Sequence, residues 1–476
     1  MYFKTISHAC LYIEHLNTRL LIDPWTIGSC YWRSWWNFPK VEHNLLLDIK
    51  PTHIYLTHLH WDHFHGPSLR LFEKYNPKIL FPKHFNHRLI KDCKKDFKFT
   101  NIMELNHGKK YKIGNDFIIT SYQFNPVIID SSIVIEADNT TLLNSNDSKV
   151  FGLSLNHIKS NHRDIDFVFR SHSSASPIPQ CIKGQDPTKT DRSPKDYARD
   201  FTAFAKATGA KFAIPFASSH IYLHELTRKF NKFYSNPQYV KDYFEATIRN
   251  GQRCILMPSG SSWSKESSFN LIEYDYSNIQ KDTEFYLNEN HEKLIKQKQN
   301  SKKILLNKKA FKNYYDNFLK ASSFPLKLIN FRFAFLINEI KTKSFFLCIV
   351  DGKKSKTNIL KINSDNEIYE HNLTFVIKTP IYVFNDCNTK NMHNTFTPSK
   401  LLEIILISKN AIKKVNFYFS LVDFYENDCL PINKLLSIRN LIITIRRYRE
   451  FIDILIYTYK IIIRKFKIYK LYNSLD

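Results

Sequence analysis

Apolar and polar positions alternate with a period of two through much of the first half of the chain, and turn-forming residues separate the alternating runs. Leu11-Tyr12-Ile13-Glu14 and Arg19-Leu20-Leu21-Ile22, joined around Asn17-Thr18, predict a hairpin within residues 2–25. His53-Ile54-Tyr55-Leu56-Thr57 and Lys78-Ile79-Leu80-Phe81-Pro82 predict two more strands, with a short helix over 85–94. Residues 111–123 and 131–147 each carry two alternating runs around a turn, so both read as hairpins. Ile165-Asp166-Phe167-Val168-Phe169 reads as a buried strand. Residues 195–208 place Tyr197, Phe201, Phe204 and Ala205 at helical spacing, and 211–217 give a strand that ends at Ser218-Ser219-His220. Strands, helix, hairpins, helix and strand in that order predict an α/β fold: two packed sheets flanked by helices, with any site at one sheet edge.

The pattern changes after residue 263. Glycine becomes scarce, and Lys- and Asn-rich segments separate short apolar runs. Residues 282–320 read as basic, helical and solvated. Leu326–Phe335, Phe345–Val350 and Thr374–Ile377 read as strands, and 398–413 as a helix. The expectation is a first domain over 1–263 and an α+β accessory domain over 264–476. The tail, 438–472, mixes Ile, Leu and Tyr with Arg446, Arg447, Arg449, Arg464, Lys465, Lys467 and Lys470. A basic amphipathic helix of this kind either packs on its own domain, the favoured expectation, or makes peripheral contact with an anionic membrane.

At 476 residues, 43% hydrophobic and 24% charged, the chain can bury two cores and has a globular balance. The net charge of +25 points to an acidic partner or an anionic small-molecule substrate. The lysines are scattered, however, as an AT-rich coding bias would leave them, so nucleic acid is not the expected partner. The eight cysteines form no C-x-x-C pair, which predicts free thiols and a cytoplasmic location. Met1-Tyr2-Phe3-Lys4-Thr5 does not read as a secretory signal, and no stretch approaches the roughly 20 apolar residues of a membrane span.

The densest chemistry lies at Thr57-His58-Leu59-His60-Trp61-Asp62-His63-Phe64-His65-Gly66. A strand precedes it, and Gly66-Pro67 opens a helix after it, so the ligands sit on a loop at a strand's carboxyl end. Imidazole and carboxylate suit a borderline divalent ion such as zinc, with iron or manganese as alternatives. Two ions roughly 3.5–4 Å apart can clamp a phosphate or carbonyl oxygen.

His58-x-His60-x-Asp62-His63 resembles the signature of the metallo-β-lactamase superfamily, and the resemblance extends over about residues 1–263. It implies an αββα sandwich and a metal-dependent hydrolase acting on a phosphoester, lactone or amide. His58, His60 and Asp147 would hold one ion, and Asp62, His63, Asp147 and His220 the other, with Asp62 also orienting the attacking water. Asp23, in the "LIDP" strand end, is implied as an orienter of the ligands. The substrate-side set is His8, Asp23, Arg33, Trp35 and His172, with Arg33 and Trp35 drawn from the tryptophan-rich loop 30–39. The family usually places a further His after the strand 117–123; here the chain reads Gln123-Phe124-Asn125, so Gln123 or Asn125 becomes the substitute candidate.

A finer resemblance lies in "SHACLYIE", "CYWRSWWNFP", "DSSIVIEAD", "SASPIPQC" and "PFASSH". These look like the corresponding part of CMP-N-acetylneuraminic acid hydroxylases. Those enzymes carry a Rieske centre, which needs Cys-x-His and Cys-x-x-His pairs. This chain has neither pair. The resemblance therefore implies, as an alternative, an iron-dependent enzyme acting on nucleotide sugars or surface glycans with a separate electron donor. A non-catalytic nucleic-acid or membrane binder with a structural metal is the remaining alternative.

Overall fold

The computed structural model describes residues 1–85, 88–125, 130–186, 193–328 and 331–464. The alternating runs of the first half become two sheets. One has eight strands in the order Ser268–Asn270, Ser262–Ser264, Tyr2–Thr5, Leu11–His15, Thr18–Ile22, His53–Tyr55, Lys78–Pro82 and Ile102–Leu105. The other has seven: Arg253–Cys254, Phe212–Phe216, Phe167–Ser171, Thr140–Asn146, Ser131–Ala137, Phe117–Gln123 and Lys110–Gly114. Their inner faces meet in one apolar layer, with Phe3, Ile13, Leu20, Ile22 and Leu80 packed against Ile119, Ile135, Leu142, Phe167 and Ile214. That interdigitation is why the strands alternate so strictly.

Helices cover both outer faces. Gly66–Phe72 and Arg88–Asp96 bury Leu69, Phe72, Leu89 and Cys93 against Leu21, Ile54 and Ile79. Gly152–Asn161, Pro194–Thr208 and Pro237–Thr247 bury Leu155, Phe201, Phe204 and Phe244 against Val134, Leu143 and Val168. The arrangement is the expected αββα sandwich. Its first sheet runs on to Asn270 through the edge strand Ser268–Asn270.

A small third sheet, Ser29–Cys30, Trp35–Asn37 and His220–Tyr222, pins the tryptophan loop to the end of the sandwich. Its register sets Trp35 opposite Tyr222 and Asn37 opposite His220. The turn between its first two strands holds Tyr31, Trp32 and Arg33 in left-handed backbone, at φ of 52°, 55° and 65°. Three consecutive non-glycine residues there are costly; the rings of Tyr31 and Trp32 pack on Trp35 and Trp61, and Arg33 donates to Lys293 O.

The carboxyl half differs from its sequence reading in three places. The strand at Arg332–Glu339 starts later than predicted, because Ser323–Leu328 is helical; Ile329 and Asn330 lie outside the described residues. Residues 398–413, read as helix, carry the strand Glu403–Leu406, flanked by the helices His393–Ser399 and Ala411–Glu426. The run Ile404-Ile405-Leu406 satisfies either period, and pairing with Phe375–Lys378 decides it. The helix Lys308–Ala321 is not solvated, since Phe311, Tyr315 and Phe318 are fully buried under the five-stranded sheet.

The tail forms two helices, Ile438–Arg446 and Tyr448–Arg464. Lys465, Lys467 and Lys470 lie outside the described residues. Instead of packing on the carboxyl half, as favoured from the sequence, the pair returns to the sandwich. Asp453 accepts from Leu153 N (2.8 Å), Ser154 N (2.8 Å) and Ser154 Oγ (2.7 Å) at the start of the helix Gly152–Asn161. Arg447 Nη2 donates to Asn125 O at 2.7 Å, and Arg439 Nη2 to Glu104 Oε1 at 2.7 Å. Among the described residues no helix is long and apolar enough to cross a membrane.

Candidate metal centre

The site lies where four loops meet at one end of the sandwich. The strand His53–Tyr55 delivers the histidine loop, and Pro67 in the first turn of the following helix ends it. Within the loop, His63 N and Phe64 N both donate to His60 O (3.0 and 2.7 Å), so the backbone itself fixes the spacing of the ligands.

Asp23 is the anchor. Its Oδ1 accepts from Thr57 N (2.8 Å), and its Oδ2 from Thr57 Oγ1 (2.6 Å), Asn146 Nδ2 (2.7 Å) and His63 Nδ1 (2.7 Å). One carboxylate thus ties together the ends of Thr18–Ile22, His53–Tyr55 and Thr140–Asn146. Both Asp23 and Asn146 adopt left-handed backbone, at φ of 44° and 45°, which turns the chain toward the centre at these two points. Burial pushes the Asp23 carboxyl up, against the pull of His63 and the Thr57 donors.

With Nδ1 held by Asp23, His63 points Nε2 at two carboxylate oxygens, Asp62 Oδ2 and Asp147 Oδ2, each at 3.2 Å. Burial works against a charge on His63, but Asp62 and Asp23 overcome it and raise its pKa well above the ordinary histidine value. His58 Nε2 faces His60 Nδ1 at 2.8 Å, and burial together with the neighbouring histidines keeps His58 neutral, with its pKa well below the ordinary value. Burial lowers His60 as well. Neutral imidazole is the ligating form.

Two groups of donor atoms each gather within 4.8 Å: His58 with His63 and Asp147, and His8 with Asp62 and His63. They differ in access. His8, Asp62 and His63 are 2%, 3% and 0% exposed, whereas the Asp147 side chain is 34% exposed and His60 beside it is half-buried. The first group opens to solvent and the second is sealed.

This partition departs from the expected one in several respects. His8, expected only to line the pocket, puts Nε2 3.1 Å from Asp62 Oδ2 and joins the sealed group. Asp62 Oδ1 accepts from the Tyr31 hydroxyl, and its Oδ2 lies beside His8 Nε2 and His63 Nε2. His220 is in neither group; its ring stacks on Trp35 at 3.6 Å and 3° and lies 5.4 Å from that of His8. Asp23, Trp35 and His172 were expected on the substrate side, but at 0%, 2% and 2% exposure they position other groups. His172 Nε2 lies 3.2 Å from Ser235 O. The Arg33 guanidinium donates to Lys293 O rather than reaching for the histidine loop.

Gln123 and Asp130 stand near the place of the absent histidine. Gln123 is buried with its side-chain amide unpartnered, and Asn125 gives its carbonyl to Arg447. Asp130, which no sequence signal singled out, places Oδ1 3.9 Å from His58 Nδ1; burial and the Asp147 charge raise it well above the usual carboxylate range. The donor set therefore fits a divalent cation. Buried carboxylates face bare imidazole nitrogens across distances that no shared hydrogen satisfies for all of them at once.

Two cavities flank these loops, and no donor residue of either group lines them. One of about 290 Å³ is lined by His220, Ser173, Gln180, Tyr197, Asn231 and Lys400. A cleft of about 1220 Å³ runs between Tyr31, Trp61 and His65 and the carboxyl half. All eight cysteines are buried and unpaired.

No family model matches the chain. It is similar to a Mycolicibacterium smegmatis protein named for a Rieske 2Fe-2S iron–sulfur centre, 25% identical over 251 residues, which is 50% of this chain and 47% of that one. A 74-residue stretch is 36% identical to cytidine monophosphate-N-acetylneuraminic acid hydroxylase of Asterias rubens and covers 15% of this chain and 11% of the hydroxylase. The chain spans about half or less of the length of these relatives. Among solved structures it is similar to Igni18, a metallo hydrolase of the archaeon Ignicoccus hospitalis, with a TM-score of 0.38 and 14% identity over 55% of this chain and 96% of that one. The two packed sheets place the histidine loop at the carboxyl end of an inner strand, as the resemblance to the metallo-β-lactamase superfamily implied.

Proposed function

We propose that the protein is a metal-dependent hydrolase that acts on a small anionic substrate. The observation that carries this reading is the facing of His63 Nε2 toward Asp62 Oδ2 and Asp147 Oδ2, each at 3.2 Å, with Nδ1 already committed to Asp23. The raised His63 pKa places a proton between these atoms, and a divalent cation can take that proton's place. His58, His60 and Asp147 would hold an ion on the open side, and His63, through its one remaining nitrogen, would hold a second with His8 and Asp62. Zinc is the ion proposed for this nitrogen and oxygen set. A divalent ion in an open site supplies Lewis acidity and brings the pKa of a water it binds to about 7.

The chain's own residues do the rest. Asp23 orients His63 and locks its tautomer. Asp147, the most exposed carboxylate of the set, is placed to accept the proton that water gives up. The water oxygen then bonds to the carbonyl carbon or phosphorus, and the leaving oxygen or nitrogen takes the proton. Lys400, from the carboxyl half, is 4% exposed, donates to Gln180 and lies over the Tyr222 and Phe230 rings at 5.2 and 5.4 Å. A buried ammonium among hydroxyls suits a carboxylate or phosphate group. The unpaired thiols support a reducing compartment, and the cytoplasm is the location we propose.

The test is elemental analysis of protein purified without added metal, alongside turnover of lactone, phosphodiester and amide substrates. One or two zinc or manganese ions per chain with hydrolysis support the reading. A second reading is favoured by the likeness to the hydroxylase of Asterias rubens. In that reading iron replaces zinc, and a separate protein supplies electrons; iron with oxygen-dependent turnover would select it. A bound ion with no turnover of either kind would leave a structural metal.

A further inference from the structure

The last two described helices are built inside out. On Ile438–Arg446 and Tyr448–Arg464 the charged residues Arg447, Glu450 and Asp453 are 0%, 0% and 3% exposed. The apolar residues face solvent: Ile438 at 80%, Leu441 at 58%, Ile445 at 62%, Leu455 at 70% and Tyr459 at 64%. Positions 438, 441 and 445 repeat at helical spacing, as do 448, 452, 455 and 459, so each helix carries one continuous apolar stripe on its outer side. Eleven of the 24 exposed large hydrophobic residues in the described chain fall within 432–459. That density is not the single-residue scatter of an ordinary surface.

The charge beside the stripe has one sign. Arg446 is exposed, and Arg449 is half-buried over the Tyr448 ring at 4.6 Å. Both acids of the two helices, Glu450 and Asp453, are turned inward. The sequence continues through Arg464, Lys465, Lys467 and Lys470 with no acid before Asp476. We propose that this face docks the protein on an anionic lipid surface, lying in the interface with its apolar stripe inserted and its arginines among the headgroups. A symmetric contact with a second copy would bring the arginine-flanked stripes together, like charge beside like charge, and is disfavoured on that ground. The face is fixed to the sandwich through Asp453, Arg447 and Arg439, so docking would orient the metal centre relative to the lipid.

The test is co-sedimentation of the full chain with vesicles of phosphatidylcholine alone and with about 30 mol% phosphatidylserine. Binding to the anionic vesicles is expected to exceed that to the neutral ones at least tenfold, and to fall as NaCl rises from about 0.1 M to about 1 M. Ile438→Ser/Leu441→Ser/Ile445→Ser and Leu455→Ser/Tyr459→Ser change only solvent-facing positions. Each is expected to weaken binding at least tenfold with Tm and metal content unchanged. Absence of vesicle binding by the wild type overturns the proposal, as does binding by both variants at the wild-type level. A dimer in sedimentation velocity that these substitutions split, without vesicle binding by the wild type, would reassign the face to a contact between copies.

Discussion

Two clusters of charged residues in this molecule are largely buried and opposite in character. Under the carboxyl-terminal helices, Arg447 Nε and Nη2 grip Glu450 at 2.7 and 2.8 Å, and Asp453 takes three hydrogens from the start of a neighbouring helix. Arg447 and Glu450 cancel there, and Asp453 has its oxygens met by donors at a helix start. At the histidine loop, Asp23, Asp62, Asp130 and Asp147 gather around His8, His58, His60 and His63, and burial holds His58 and His60 neutral. Negative charge there exceeds what the chain itself neutralises. Burial of charge is therefore no mark of function by itself. An imbalance of sign, maintained at a cost in desolvation, is the mark.

The comparison breaks most visibly at the ligands. Asp147→Asn or His58→Ala should remove about 10³-fold or more of hydrolytic turnover, the scale expected when a metal that activates water is lost. Chelation should lower the Tm of the wild type and leave that of Asp147→Asn nearly unchanged, because an ion stabilises only the chain that binds it. Retention of full turnover by either variant would refute the ligand assignment. No such metal dependence is expected at the other cluster. There Arg447→Met leaves Glu450 buried and unpaired, which costs about 3–5 kcal/mol of stability. The double change Arg447→Met/Glu450→Leu should recover most of that loss. Urea unfolding of the three proteins checks this, and turnover per folded molecule should stay at the wild-type value in all of them.

The histidine loop was legible in the sequence because its ligands are neighbours along the chain and a strand precedes them. Asp147 became a candidate through the resemblance, because it ends a hairpin where the superfamily keeps a bridging carboxylate. His8 as a member of the sealed group was not legible, since only sheet topology brings the turn after Tyr2–Thr5 beside Asp62. Asp130 had no signal at all: a single acid before Ser131 acquires meaning only when His58 is found opposite. The tail shows a different limit. Its period predicted an amphipathic helix correctly, but a period defines two stripes and does not say which one faces in. Here Asp453 found donors on the sandwich, Glu450 paired with Arg447, and the apolar stripe was left outside.

A smaller effect concerns how the clasp seats on the sandwich. Gly152 has φ of 58°, and a Cβ there would come 2.2 Å from Asp453 Oδ1. Gly152→Ala should therefore both strain the backbone and displace the capping carboxylate, at a cost of about 1–3 kcal/mol. Asp453→Asn should cost less, because the amide oxygen can still accept from Ser154 N. If the two were equal in urea unfolding, the cap rather than the glycine geometry would carry the energy.

The smallest effect lies at a surface charge cluster, where neither imbalance nor burial is extreme. Glu136 lies 2.9 Å from His162 Nδ1 and 3.1 Å from Lys110 Nζ. Burial alone would raise its carboxyl, but these two neighbours overcome it and hold the pKa at about 2. Because the folded value is depressed, the stabilisation is complete above the unfolded carboxyl value of about 4.3 and is lost as pH falls from there toward about 2. The group is only partly shielded, so solvent screening reduces the effect to about 1 kcal/mol. Glu136→Gln should accordingly lower the urea midpoint slightly at pH 7, by about half as much near pH 3, and leave it nearly equal to that of the wild type near pH 2. A difference that grew on acidification would mean that Glu136 is held for its neutral form, and the contrast between balanced and unbalanced clusters would then extend to the surface.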